Sequence, residues 1–378
     1  MACRLTIWTP KEKSDIYGVL WRFIREAISG NGFMRNSIEM ELRKLQRTGG
    51  SSYALSLPKQ WVKAVGLHKG DSVFLEWLSD GTMAVSGKPF APKGERRKVI
   101  EVKEEERDEH LLRKLIGSYI LGYDIIEVHS APEELPMARK VIRNFTRMTI
   151  GPEIVEETKK SITTQDLSDL SDLSVEKCLR RMHMTARSMH EFAIEAVAAG
   201  SEESAKEVMR KDEDIDRLYW MVARQYGLSR LNRSLTMTDA TRVGMYDASL
   251  VARLLERIGD HAAKIAGAAV VIGGKVDRRL TKELEDVSRS ALEILDVAFA
   301  SYLAADVDSA NAIIDKAPRL EKTVEDLAHR CARHEGEELL ALGIITDSIS
   351  RTSGYSTDIA EIAINRAMFG EEDAGSGS

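Results

Sequence analysis

Apolar and polar positions follow three different periods along the chain, and each predicts its own kind of element. Between Ser37 and Lys98 the pattern alternates over short runs: EMELRKLQ, YALSLP and the two arms of VFLEWLSDGTMAVS read as strands. RTGGSSY is a loop, Asp80-Gly81 supplies the positive φ of a two-residue hairpin turn, and KQWVKAVG is a helix of one to two turns. From Val99 to about Leu170 strand and helix patterns alternate. VIEV and DIIEVHS are strand-like, DEHLLRKLIGSYILGY and PEELPMARKVIRNFTRMT are helical, and EIVEETKKSITTQDL is extended; together they predict a small α/β domain. DLSDLSDLS from Asp166 reads as a polar linker into a helix N-capped by Ser174. Beyond Ser174 nearly every residue is helix-compatible, with loops expected near Gly200, Gly227, Gly273 and Gly336.

The helical part repeats itself. The segment from Leu179 lies over that from Leu284 at an offset of 105, so that Ala205 meets Ala310 and Asp216 meets Glu321. The third helices, containing DASLVARLLERIGDHAAKIAG and IITDSISRTSGYSTDIAEIAI, then match at a shorter offset of 94 that sets Arg257 on Arg351 and Ile265 on Ile359. Two tandem three-helix bundles, residues 173–274 and 275–370, are the predicted architecture. The full expected order is an N-terminal extension (1–36), a hairpin domain (37–98), the α/β domain (99–172), the two bundles, and a disordered tail (371–378). The extension is a short amphipathic pattern without a signal peptide's cleavage site, and a misassigned translation start would account for it.

Composition supports this division. Seven of the eight prolines lie at or before Pro152, and only Pro318 falls within the helical half. The chain of 378 residues carries a net charge of -6, which excludes a protein that coats nucleic acid by bulk charge. Residues 38–98 nevertheless hold eleven Lys and Arg against six Asp and Glu, a local +5. Cys3, Cys178 and Cys331 form neither a disulfide framework nor a metal knuckle, so a reducing cytoplasm is the expected location. The most apolar run, IAGAAVVIGG, is too short to span a bilayer, and no membrane insertion is expected.

Candidate chemistry sits in two places. Asp212 and Asp216 are four apart, as are Glu256 and Asp260, so each pair shares one helix face. Two such pairs on adjacent helices offer four hard oxygen ligands for a metal ion; the other reading is a solvated acidic face balanced by Lys211, Arg217 and Arg257. Asp247 and His261 are conceivable further ligands. His110 and His129 have no partner at metal-ligand spacing and read as surface or strand-end residues. His183 and His190 read as packing or surface, and Met182, Met184, Met189, Met209 and Met221 as core filler.

The stretch RKLQRTGGSSYALSLPKQWVKAVGLHKGD, with LPxxW followed by GLxxGD, resembles the swapped-hairpin DNA-binding domain of the SpoVT/AbrB and MazE-like families. That resemblance implies an obligate homodimer with Trp61 and Trp77 in its core, and DNA-facing cations at Arg43, Lys44, Arg47 and Lys59 that contact phosphates first and base edges second. DEDIDRL and LLERIGDHAAKIA resemble the two halves of the PhoU signature, in which such acids on the second and third helices of a bundle hold metal. This implies a divalent or trivalent metal ion at Asp212, Asp216, Glu256 and Asp260, in the first bundle only. In the second bundle the equivalent positions are Ala317, Glu321, Ser350 and Gly354, beside Pro318.

Together the two likenesses imply a phosphate-responsive regulator, similar to archaeal phosphate uptake regulators, that binds DNA and engages a phosphate transporter or sensor component, with no catalysis. The alternatives are a carboxylate-bridged metal enzyme, disfavoured because no Glu-x-x-His pairing accompanies the acids, and an antitoxin-like or structural dimerisation protein.

Overall fold

The computed structural model describes residues 42–48, 52–77, 83–88, 95–168, 173–231, 239–274 and 276–375. The expected N-terminal extension, the RTGGSSY glycines and the Asp80-Gly81 turn lie outside these residues. Two compact units divide the chain between Phe74 and Leu75.

The first unit contains the hairpin β1 (Gln46–Thr48) and β2 (Ser52–Ala54), followed by the short helix α1 (Lys59–Ala64). The hairpin is antiparallel, with Arg47 opposite Tyr53. Of EMELRKLQ, expected to be a strand, residues 39–41 lie outside the described residues, residues 42–45 are irregular, and strand begins at Gln46. Among the described residues of this unit none is buried. Strands this short cannot bury a core of their own. Next come β3 (Phe74–Trp77) and β4 (Met83–Ser86), which pair with each other.

In the second unit, β5 (Arg97–Glu101), α2 (Asp108–Ile120), β6 (Ile125–His129), α3 (Leu135–Met148), β7 (Pro152–Glu157) and β8 (Ser161–Asp166) build the expected α/β domain. The sheet order is β5-β6-β8-β7; β5 and β6 are parallel, and the remaining pairs are antiparallel. Leu111, Leu115, Tyr119, Ile142 and Phe145 of the two helices close over Ile126, Val128 and Ile162 of the sheet.

Six helices follow: α4 (Val175–Ala199), α5 (Glu202–Leu231), α6 (Asp239–Ile272), α7 (Arg278–Ala304), α8 (Val307–Cys331) and α9 (Gly336–Gly375). Ser174 caps α4 by accepting from the Lys177 amide, while Asp277 and Asp306 cap α7 and α8 in the same way. Gly200 ends α4 in the left-handed region, where a side chain would be strained. The first three helices and the last three pack as two bundles, yet one continuous core joins them, from Met182 and Ile258 to Leu295 and Ile349. Gly227 does not mark a loop: it lies within α5, close against the Ile120 carbonyl. Pro318 sits inside α8, and α9 runs on to Gly375, past the expected start of the tail. Met182, Met189 and Met221 are core residues as expected, but Met184 and Met209 are half or more exposed. No helix among the described residues is long and apolar enough to cross a membrane.

Candidate metal centre and nucleic-acid face

Helices α5 and α6 cross where Gly259 faces Ile215. A Cβ on Gly259 would lie 3.1 Å from the Ile215 side chain and 3.7 Å from Asp212 Oδ1, so the missing side chain allows the helices to approach beside the acids. All four predicted carboxylates share this seam and are partly removed from water. Burial first, and the neighbouring acids second, push Asp216 and Glu256 up to about 7 and Asp212 up to about 6. Burial also raises Asp260, against the pull of Lys264, Arg257 and Arg253. The pairs thus interact across the two helices.

Among the described residues, none of the four accepts a hydrogen bond or forms an ion pair, and Asp212 Oδ1 is a buried oxygen without a partner. The nearby cations point elsewhere: Arg253 donates to the Tyr219 hydroxyl at 2.9 Å and Arg257 to that of Tyr355 at 3.5 Å. An all-carboxylate set with an orphaned oxygen fits a hard, highly charged cation. As the side chains stand, no three His, Cys, Asp or Glu among the described residues are close enough together to hold one.

The two conceivable extra ligands have other roles. His261 is buried, with Nδ1 3.1 Å from the Ser348 hydroxyl, and burial holds it down to about 4. Asp247 lies more than two helical turns from Glu256 and is electrostatically coupled to Arg366 instead. His190 is fully buried against Ser288, and His183 stacks on Phe299 beside Asp296. His129 ends β6 between Glu127 and Glu101, and His110 lies on the surface beside Arg107. In the second bundle Ala317, Glu321, Ser350 and Gly354 come together around a cleft of about 320 Å³ beside Pro318. The four positions that the repeat offsets select therefore lie together.

Sequence reasoning missed Arg224, two turns beyond Asp216 on α5. Only 1% exposed, it donates to the carbonyls of Tyr119 (2.7 Å) and Tyr123 (3.0 Å) and pairs with Asp166 (2.8 Å) and Asp124 (3.3 Å) of the α/β domain. Its guanidinium also lies over the Tyr119 ring. One turn further, Gly227 meets the Ile120 carbonyl so closely that a Cβ has no room. The helix carrying two of the acids is thereby pinned to the α/β domain. A single Arg at helical spacing looks like any surface cation, and its two carboxylates are some sixty and a hundred residues away in sequence.

In the first unit, Arg47 lies on β1, Lys59 opens α1, and Arg43 and Lys44 precede the hairpin; all four are exposed. Leu42, Leu45, Tyr53 and Leu55 are exposed around them, and in β3 of the neighbouring segment Trp77 is 85% exposed in the single chain. In the first unit, basic side chains are thus interleaved with uncovered apolar ones.

The segment from Leu179 to Ala269 spans both acidic pairs, and a family comparison places it. Residues 179–269 match the PhoU domain family. Residues 46–97 match a second family, described as "Antidote-toxin recognition MazE, bacterial antitoxin". The PhoU match holds all four carboxylates and Arg224, and the MazE match holds Arg47 and Lys59. Among solved structures, PhoU from Pseudomonas aeruginosa aligns at 18% identity over 53% of this chain and 97% of its own, with a TM-score of 0.47. The phosphate transport system regulatory protein PhoU from Streptococcus pneumoniae aligns at 18% over 51% of this chain and 92% of its own, with a TM-score of 0.45. No curated protein matches the chain significantly.

Proposed function

We propose that this protein is a phosphate-responsive regulator that binds DNA as a homodimer through its N-terminal hairpin domain and controls phosphate uptake genes, the phosphate transporter, or both. The observation that carries this reading is the joining of a MazE-type match and a PhoU-domain match in one chain. In it, Asp212, Asp216, Glu256 and Asp260 hold a divalent or trivalent metal ion in the first bundle. Bound there, the ion supplies a positive centre to which phosphate, or an acidic group of a transporter or sensor component, can bind. The second bundle, with one carboxylate among its four equivalent positions, takes no such ion. Exposed cations at Arg43, Lys44, Arg47 and Lys59 contact DNA phosphates.

Two measurements test the halves separately. Elemental analysis of purified protein should find metal in the wild type and little in Asp216→Asn with Glu256→Gln; equal content in both overturns the metal site. Mapping of bound DNA across the genome at high and low phosphate should find binding that changes with phosphate. A mobility shift on a recovered site should weaken with salt and be lost on Arg47→Ala with Lys59→Ala. A shift that survives both substitutions rejects this DNA face, and the absence of any bound site favours an antitoxin-like or purely structural dimer.

A further inference from the structure

We infer that the α/β domain carries a second self-association surface, separate from the N-terminal hairpins: the free edge of β5, which fits the β5 of another copy in antiparallel register centred on Val99. This goes beyond the DNA-binding reading and does not depend on it.

β5 and β7 are the two edges of the sheet, and they differ. The β7 edge is defended. It begins with Pro152, has a register shift between Ile154 and Glu156, and carries Glu153, Glu156 and Glu157, which would repel their own copies. β5 has neither proline nor bulge, and among the described residues only β6 pairs with it.

The backbone groups on its open side can be identified. The Val102 amide donates to the His129 carbonyl at 2.9 Å, while the Arg96 carbonyl accepts from the Asp124 and Ile125 amides at 2.8 and 3.1 Å. Residues 96, 98, 100 and 102 therefore direct their polar groups at β6. Arg97, Val99 and Glu101 direct theirs outward. Arg97, Lys98, Val99 and Glu101 are all exposed.

A two-fold pairing centred on Val99 uses those three outward residues and no others. Val99 faces Val99 of the second copy, and each Arg97 faces a Glu101, so each pair can exchange both backbone hydrogen bonds. Charge on an edge strand usually prevents pairing, but here the symmetry sets opposite charges together. The three side chains share one face, shown by Arg97 reaching Glu127 and Glu101 reaching His129, each at 3.1 Å. On the other face a cleft of about 410 Å³ lies beside the edge, among Lys98, Lys114, Gly117 and Tyr123. Apart from the helix's own backbone, nothing lies within 4 Å of where a Cβ on Gly117 would be, so the partner strand's exposed Lys98 has room to enter.

Charge-swapped chains test the register. Full-length Arg97→Glu and Glu101→Lys are co-expressed with different tags and treated with a zero-length carbodiimide. In the mixed dimer the register predicts a cross-link joining the introduced carboxylate at position 97 of one variant to the introduced amine at position 101 of the other. Either variant alone sets like charges opposite each other and should give at least about tenfold less inter-chain product. Arg97→Lys, which keeps the native charges, should cross-link to Glu101 of an isotopically labelled partner. Adding Val99→Pro, which removes an outward amide but no bond to β6, should abolish that product. Absence of the 97–101 inter-chain peptide from both the mixed pair and Arg97→Lys overturns the proposal, as does a yield that Val99→Pro leaves unchanged. Failure of DNA or metal binding has no bearing on this readout.

Discussion

At the scale of single residues, the helical half keeps titratable groups away from water in two opposite ways. The acids at the α5–α6 seam hold their protons more tightly than exposed carboxyls do. His190 binds its proton less readily, because burial and the neighbouring His261 lower it from 6.5 to about 4. The sign for His190 follows: between those values the unfolded chain is protonated and the folded chain is not, so its contribution is full above about pH 6.5 and is lost as pH falls toward 4. A shift of that size corresponds to a loss on the order of 3 kcal/mol. The acids act oppositely, since their raised values favour the folded chain at low pH and that help fades as pH rises toward 7. The His190 share is therefore read as a difference: denaturant unfolding of wild type and His190→Gln at pH 7 and pH 5 should show the variant losing less stability. Identical pH dependence would mean that His190 is not held neutral. Of these residues, sequence spacing made the acid pairs visible, because i and i+4 place them on one helix face. The neutral His190 was not, because its burial depends on α7, about a hundred residues away.

At the scale of elements, most boundaries were legible because local chemistry sets them. Ser174 caps α4, Gly200 ends it, and Gly273, Gly274 and Gly336 take positive φ where loops were expected. Gly227 was misread for the opposite reason: in isolation a glycine in a helical run suggests a break, but here it makes room for the Ile120 carbonyl. Gly227→Ala should therefore destabilise by about 1–3 kcal/mol, as overpacking does, although alanine is the better helix former. Arg224→Leu should cost more, about 3–5 kcal/mol, because it leaves Asp166 and the Tyr119 and Tyr123 carbonyls without their buried donor. Thermal unfolding of both variants beside Arg230→Leu, on the last turn of the same helix, checks this; equal stability of all three would mean that the contact does not hold α5.

At the scale of the whole molecule, the division into a hairpin domain, an α/β domain and two bundles was legible from period and proline placement alone. The sharing of core between the bundles was not, because an amphipathic pattern tells which face is apolar but not which helix covers it. That shared core separates two pressures on the second bundle. Its apolar stripes are constrained by the faces of α4 and α6 that they cover, whereas Ser350 and Gly354 line an open cleft and are free of that constraint. A repeat of this kind is not a string of interchangeable beads. One copy can change its surface chemistry entirely and still be indispensable, because what it contributes to its neighbour is a wall.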